Sequence, residues 1–200
     1  MVKAVDGGAG PMWEQIFTSL SPGLTADDAA LDQAAAALDF ALPDSYRGFC
    51  KSCGVGLAGA QFRIAVPAAF EAVDLVNQAG VIAHSVGAAV RMLQDEPNPH
   101  RFDVDGDDPS VIERACFFGA GEDGSFLFWD VSGSGPEYDI WVLAPDLEAV
   151  RFGGESLTDF FTRAMAPSAA LVLGPGGDPL PARFDGFSEA TLARSAQIAP

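Results

Sequence analysis

Basic residues are scarce in this chain of 200 amino acids. It has 11 lysines and arginines against 28 aspartates and glutamates, which gives a formal net charge of −17 at pH 7. A surface this negative repels phosphate backbones, so we expect no direct binding to nucleic acid. The same excess would attract a basic protein partner, although it also keeps a protein soluble whatever its partner. Net charge alone does not decide between these two interpretations.

Long hydrophobic runs are also missing. No apolar run approaches the roughly 20 residues that span a bilayer, and the first residues show no basic segment followed by an apolar stretch. We therefore expect no membrane partner and no secretory signal. The chain has only three cysteines, an odd number in a sequence that is large for a disulfide scaffold. A reduced, cytoplasmic setting is the simpler prediction.

Histidine occurs only twice, as His84 and His100. Neither lies in a Ser/His/Asp arrangement or a histidine-rich metal motif, and the serines of the turns lack the context of a nucleophile elbow. We therefore predict no catalytic residues and no cofactor, and we expect the protein not to be an enzyme.

The spacing of Cys50 and Cys53 forms a CxxC motif. A redox or metal role requires a lowered thiol pKa or further ligands, and redox pairs sit at helix N-termini. This pair lies near the C-terminus of a predicted helix and continues the apolar stripe of Tyr46 and Phe49. The pattern favours core packing over chemistry.

Two other motifs suggest ligands, but their context favours simpler structures. The acidic run Asp103–Asp108 could begin a calcium loop. The glycine position of an EF-hand holds Asp108, however, and the closing acid position holds Arg114, so a solvated acidic loop is favoured and a weak cation site stays open. Gly54–Gly59 and Gly119–Gly124 fit GxGxxG. The first follows a helix and the second precedes a strand, so both are predicted turns.

Apolar spacing predicts an α+β fold, with a mostly antiparallel twisted sheet of about four to six strands covered by helices. It predicts helices before residue 40 and a proline-launched helix from Pro43, closed by Gly54. A strand is expected within Val55–Val66, followed by a helical segment, Phe70–Leu93, broken near Gly80.

Further along, the sequence predicts a meander and a last helix. Three strand-like runs are expected at Ile112–Phe118, Ser125–Val131 and Tyr138–Leu143, and a short strand at Val150–Phe152. Ser156 is expected to cap the last helix. The expected domains are a disordered leader (1–11), one domain (12–166) and a Pro/Gly-rich C-terminal extension (167–200) that can form a short terminal helix from residue 188.

The run Leu42–Phe49 resembles the Leu-Pro-x-x-Tyr-x-x-Phe signature of the SUKH superfamily, named for fungal cell-wall-assembly regulators and their bacterial relatives. Phe117–Asp130 is similar to its mid-domain hairpin, and Ser156–Phe161 to its closing helix. The resemblance covers about residues 12–165. Cys53-Gly54 stands where the family often shows Asn-Gly, and the insert Gln78–Glu96 is longer than expected, which leaves the subfamily open.

The resemblance implies an α+β sheet covered by helices and a non-enzymatic, protein-binding function. Many bacterial members neutralise toxins by binding them, so an immunity protein that binds a basic toxin domain is the first hypothesis. A regulatory scaffold for an endogenous partner and a small-ligand-binding protein remain alternatives. The residues expected to contact a partner are acids in the loops between the later strands, with Trp129 or Trp141 nearby: Asp105, Asp107, Asp108, Glu122, Asp123, Glu137, Asp139 and Trp129.

Overall fold

The computed structural model describes residues 13–94 and 100–198, so the expected leader lies outside the described residues. In chain order the helices are α1 (Trp13–Ile16), α2 (Asp28–Leu38), α3 (Asp44–Ser52), α4 (Leu75–Leu93), α5 (Leu157–Ala164), α6 (Ala170–Leu173) and α7 (Glu189–Ile198). The strands are β1 (Ser19–Ser21), β2 (Gly56–Ala58), β3 (Phe62–Ile64), β4 (Asp103–Val104), β5 (Ala115–Gly121), β6 (Phe126–Asp130), β7 (Ile140–Leu143), β8 (Ala149–Gly154) and β9 (Arg183–Gly186). A 3₁₀ helix, Pro109–Arg114, leads into β5.

The predicted α+β class is confirmed, but the sheet is larger and less uniform than expected. Within the described ranges it has nine strands in the order β1-β9-β2-β3-β5-β6-β7-β8-β4. The pairs β1–β9 and β4–β8 are parallel and the others are antiparallel, so the sheet is mixed. The estimate of four to six strands was too low because β1 to β4 have only two or three residues each. Alternation of apolar and polar residues needs about four to be visible.

Apolar side chains form one core on each face of the sheet. The first core joins α1, α3 and α5 to the strands and is rich in aromatic rings, with Trp13, Phe49 and Phe161 fully buried. On the opposite face, Ile82 and Val86 of α4 pack in a second core with β5, β6 and β8. The long helix α4 therefore covers the face that the other helices leave open.

The signature helix α3 forms as predicted. Its N-cap is Pro43, and its inward stripe is fully buried: Tyr46, Phe49 and Cys50, followed by Cys53 at the C-cap. The Tyr46 hydroxyl donates a 2.6 Å hydrogen bond to the carbonyl of Ala65, which fixes the helix on the strand connection. Gly54 adopts a φ of 72°, and a Cβ there would collide with the carbonyl of Leu24. Glycine therefore closes the helix as expected.

Two elements differ from the predicted pattern. Val55–Val66 is not one strand but a hairpin of β2 and β3, which turns at Gly59 and Ala60, both with positive φ. The segment around Gly80 is not broken, because α4 continues from Leu75 to Leu93. A glycine in a helix costs only about 1 kcal/mol relative to alanine, which a helix packed along one face tolerates.

The sheet does not end at residue 166, where the domain boundary was expected. The Gly/Pro-rich run after α6 leads back to the sheet, and β9 inserts between β1 and β2. Phe184 of β9 is 1% exposed, and its ring lies 5.7 Å from that of Phe17 and 5.5 Å from that of Phe49. Sequence patterns do not indicate this return to the sheet, because a four-residue strand after many glycines and prolines leaves no periodic signal. The expected terminal helix is present as α7.

We expect Phe184→Ala to lower the free energy of unfolding by about 3–5 kcal/mol, because it empties a site in the aromatic core. The matched control is Leu171→Ala, since Leu171 is 75% exposed and its loss should change stability by no more than about 0.5 kcal/mol. Urea unfolding of both variants measures the difference. Equal stability of the two variants would contradict the placement of β9 in the sheet.

Candidate partner-binding surface

The acids predicted to contact a partner divide between the two ends of the strands. Glu122 and Asp123 lie in the turn between β5 and β6, which we call the hairpin end. The strand directions place the others at the opposite end, where β4, β6 and β8 finish and β7 begins. Two acids that the sequence analysis did not single out join them. We call this group the acidic end: Asp105, Asp107, Asp108, Asp130, Glu137, Asp139 and Glu155.

Asp139 lies among other carboxylates at the acidic end. It lies directly opposite Asp130, whose backbone N–H donates a 3.0 Å hydrogen bond to the Asp139 carbonyl. Burial raises the pKa of the Asp139 carboxyl, and the negative charges of Glu155 and Asp130 raise it further. Like charges opposite each other in a sheet are destabilising. A cation that reached Asp139 would therefore be bound in part by relief of this repulsion.

Arg114 already neutralises part of the acidic end. Its Nε and Nη2 bind the two carboxylate oxygens of Asp130 at 2.9 and 2.8 Å, and Nη2 also lies 3.0 Å from Asp108. These bonds lower the pKa of Asp130, while hydrogen bonds from Ser110 and then Arg114 lower that of Asp108. Asp108 is thus held within the chain. No sequence pattern indicates this cluster, because Arg114 and Asp130 meet only through the β5–β6 register.

Glu137, one of the predicted contact residues, is hydrogen-bonded within the fold. Its carboxylate accepts hydrogen bonds from the Ser45 backbone N–H at 2.7 Å and from the Ser45 hydroxyl at 2.6 Å. That hydroxyl in turn accepts a 3.0 Å bond from the N–H of Leu157. Burial raises the pKa of Glu137, the bonds from Ser45 oppose the shift, and the charge of Asp44 adds to it. Glu137 therefore caps the N-terminus of α3 from another segment.

Asp105 and Asp107 lie in the exposed loop that follows β4. An Asp105 carboxylate oxygen accepts a 2.9 Å bond from the N–H of Phe152, so its side chain covers the edge of β8 just beyond the end of β4. Asp107 is exposed and has a φ of 59°. Across the described residues, no three histidine, cysteine, aspartate or glutamate side chains converge to hold a metal ion.

Trp129 is not a surface anchor, contrary to its assignment as a contact residue. It is fully buried, stacks on Phe118 with 4.0 Å between the ring centroids, and meets Tyr46 edge-on at 4.9 Å. The partly exposed aromatic pair at the acidic end is instead Trp141 and Phe152, whose rings lie 5.4 Å apart on the opposite face of the sheet. The sequence shows that side chains along β6 and β7 alternate between the two faces of the sheet. It does not show which face the helices cover.

At the hairpin end, both acids have partners within the chain. Glu122 forms a 2.8 Å ion pair with Arg63, and both side chains are about half exposed. Asp123 accepts hydrogen bonds from the backbone N–H and the hydroxyl of Ser125, which fix the turn. Glu122 and Asp123 therefore stabilise the hairpin end and do not contribute to the acidic end.

The three cysteines are free thiols. Cys50 and Cys53 are fully buried, and burial raises the pKa of Cys50 to about 12 and that of Cys53 further still. Burial also raises the pKa of Cys116 to about 12. A thiol held protonated is a poor nucleophile and a poor metal ligand, so the geometry favours the packing interpretation of the CxxC motif.

A scan against models of known protein families finds no match to this chain, and a search of curated proteins finds none either. Among the described helices, none combines the length and the apolar character needed to cross a bilayer. A function must therefore be inferred from the surface residues of the chain itself.

We expect Glu137→Ala to lower the free energy of unfolding by about 1–3 kcal/mol, because the buried Ser45 N–H loses its acceptor. Glu137→Gln keeps an acceptor and should lose less. The pKa of Glu137 is raised in the folded chain. The free energy of unfolding of wild type should therefore exceed that of the Gln variant most at pH values below the ordinary glutamate pKa. The advantage should shrink as the pH rises through the raised value. Urea unfolding of both proteins across this pH range measures the difference in free energy of unfolding. A difference that grows with pH would contradict the prediction.

We expect a thiol reagent at neutral pH to modify none of the three cysteines rapidly in the native protein, and all three after unfolding in urea. Burial and raised pKa values leave almost no accessible thiolate. Mass spectrometry after timed labelling identifies the modified residues. Fast native labelling of Cys50 or Cys53 would overturn the packing interpretation and reopen a chemical role.

Proposed function

We propose that this chain is a non-enzymatic protein-binding domain that uses its acidic end to bind a basic partner, and that it acts as an immunity protein against a basic toxin domain. The observation that carries the proposal is the position of Asp139. Asp139 lies opposite Asp130, and the charges of Asp130 and Glu155 both act on its carboxylate, so the fold keeps an electrostatically unfavourable arrangement on its surface. Unfavourable arrangements of this kind are typical of functional sites.

Charge complementarity supports the class of partner. With a net charge of −17, the chain attracts cationic proteins over long distances, which speeds their encounter. The acidic end then offers a local target. A lysine or arginine placed at Asp139 would gain a charge-assisted hydrogen bond and would also relieve the repulsion with its neighbours.

Aromatic side chains beside the acids support a stable contact. Trp141 lies two residues after Asp139, on the same side of the strand, and its ring contacts that of Phe152. The guanidinium of Arg163 lies 5.2 Å from the centre of the Phe152 ring, so this surface already accommodates a cation on an aromatic face. Partly exposed tryptophan next to complementary charge is the usual composition of a binding hot spot.

The resemblance to the SUKH superfamily supports the immunity role, because toxin neutralisation is common among its bacterial members. The same surface would serve a regulatory scaffold equally well. A neighbouring gene for a large secreted toxin favours immunity, and its absence favours the scaffold.

One observation favours a second candidate, a small-ligand-binding protein. An open groove of about 910 Å³ lies between α4, the segment Ala69–Val73 and α7. This volume falls in the range of ligand sites. Its lining is mainly apolar, however, and its one arginine, Arg63, is already paired with Glu122. Because apolar residues form most of the lining and Arg63 is engaged, we rank the groove second.

The test is binding to the product of the adjacent gene, with Asp139→Asn as the variant. We expect wild type to associate more slowly as salt is added, and Asp139→Asn to weaken binding by about 1–3 kcal/mol. Stability should not fall, because the substitution removes a repulsion. Stopped-flow mixing and urea unfolding measure the two effects.

The matched control is Asp146→Asn, which removes the same charge from the turn between β7 and β8. Asn keeps the acceptor that binds the Glu148 N–H there, so the turn is retained. Equal weakening by both variants would show that net charge alone matters and would remove the acidic end from the proposal. An association rate that does not respond to salt would reject electrostatic steering, and no binding at low salt would contradict the immunity role.

A further inference from the structure

A separate pocket of about 360 Å³ lies at the hairpin end of the sheet. The turn before β3 and the β5–β6 turn form one side of it. The end of α6 and the segment that follows it, within the predicted C-terminal extension, form the other side through Leu173 and Gly177–Pro181. Because the acidic end lies at the opposite end of the strands, this pocket is not part of the surface described above.

Four polar side chains line the pocket: the carboxylates of Asp123 and Asp178, the amide of Gln61 and the hydroxyl of Ser125. Asp123 is held in place, since its Oδ1 accepts bonds from the Ser125 N–H at 3.0 Å and from its hydroxyl at 2.7 Å. The Gln61 side-chain amide makes no hydrogen bond within the described part of the chain. The Asp123 carboxylate and the Gln61 amide meet over Gly121, where a Cβ would lie 2.5 Å from Asp123 Oδ1 and 3.2 Å from Gln61 Nε2. Glycine at this position keeps the space open.

The remaining walls are apolar. Phe62 and Val142, both almost fully buried, line it from the sheet, and Leu180 with two flanking prolines lines it from the C-terminal segment. The pocket thus combines apolar walls with acceptors of hydrogen bonds. Its volume is near the lower limit for ligand sites, which suits a side chain or a small molecule rather than a folded element.

The cations near this end are already engaged elsewhere. Arg63 is paired with Glu122 at 2.8 Å, and Arg183 with Asp185 at 2.6 Å. Arg151 packs its guanidinium against Gly174 and does not line the pocket. Asp123 and Asp178 therefore have no basic side chain of this chain among the pocket residues.

We propose that the pocket receives an arginine side chain of a polypeptide partner, with the methylene stem against the apolar walls and the guanidinium bound by Asp123 and Asp178. Gln61 supplies a further acceptor through its amide oxygen. Arginine fits better than lysine because its planar, weakly hydrated head binds several acceptors at once and tolerates partial burial. The inference rests on the proposed function only in taking the occupant to be a protein.

The experiment is an NMR titration of the full-length, ¹⁵N-labelled chain with N-acetyl-arginine amide. The control ligand is N-acetyl-citrulline amide, which has nearly the same shape but no charge. We expect the arginine amide to shift the backbone signals of Gln61, Asp123 and Ser125, and the citrulline amide to bind at least about tenfold more weakly, which is the loss expected for a charge-assisted bond.

Two variants with equal charge changes locate the site. Asp123→Asn retains the oxygen that accepts the Ser125 bonds, so the turn is kept, and it should weaken arginine binding about tenfold. Glu122→Gln is the matched control, because Glu122 is the adjacent residue but does not line the pocket. It should change the affinity less than about twofold, as expected for an exposed charge. Unchanged signals elsewhere in the spectrum verify that both variants fold.

Each contrary outcome overturns the inference in a recognisable way. If the citrulline amide bound as tightly as the arginine amide, the positive charge would not contribute to binding. If Glu122→Gln weakened binding as much as Asp123→Asn, the ligand would lie outside the pocket. Shifts confined to Asp130 and Asp139 would reject this pocket while leaving the proposed function intact. Arginine binding here together with failure of the adjacent gene product to bind would retain the pocket and reject the proposed function.

Discussion

The junction of Ser45, Glu137 and Leu157 is the constraint on which the arrangement of this protein depends. Two helix N-termini, those of α3 and α5, meet there, and their unsatisfied N–H groups need acceptors because water is largely excluded. One serine and one carboxylate satisfy them together. The carboxylate comes from the connection between β6 and β7, so the same bonds fix the segment that carries Asp139. The stability of the helical layer and the position of the acidic end are therefore set by one cluster.

Sequence patterns predicted the parts of this fold in which a periodic signal is long enough to read. The stripe of α3, the closing glycine Gly54 and the capping Ser156 are all found as expected, because each depends on residues close together in the chain. The short strands β1, β2 and β4 and the return of β9 were missed, since their stability comes from pairing with distant segments. Phe184 illustrates the difference: nothing near it in sequence indicates that it packs against Phe49.

The candidate site was predictable in composition but not in arrangement. The sequence shows that acids concentrate in the loops between the later strands, and the structure places most of those singled out at one end of the sheet. The sequence does not show that Glu137 is hydrogen-bonded to Ser45, that Arg114 neutralises Asp108 and Asp130, or that Trp129 is buried. Each of these facts depends on strand register and on which face the helices cover. Both are properties of the whole sheet rather than of a local pattern.

Both ends of the sheet carry paired and unpaired carboxylates, and both follow from the same charge excess. With 28 acids and 11 basic residues, not every carboxylate can be paired, so some must lie next to each other. Where an arginine is within reach, as for Glu122 and Asp130, the acid is neutralised and becomes part of the fold. Where no ion pair forms within the described part of the chain, as for Asp139, the unfavourable interaction persists in the isolated protein. A basic partner supplies the missing charge, so the same imbalance that weakens the free protein favours the complex.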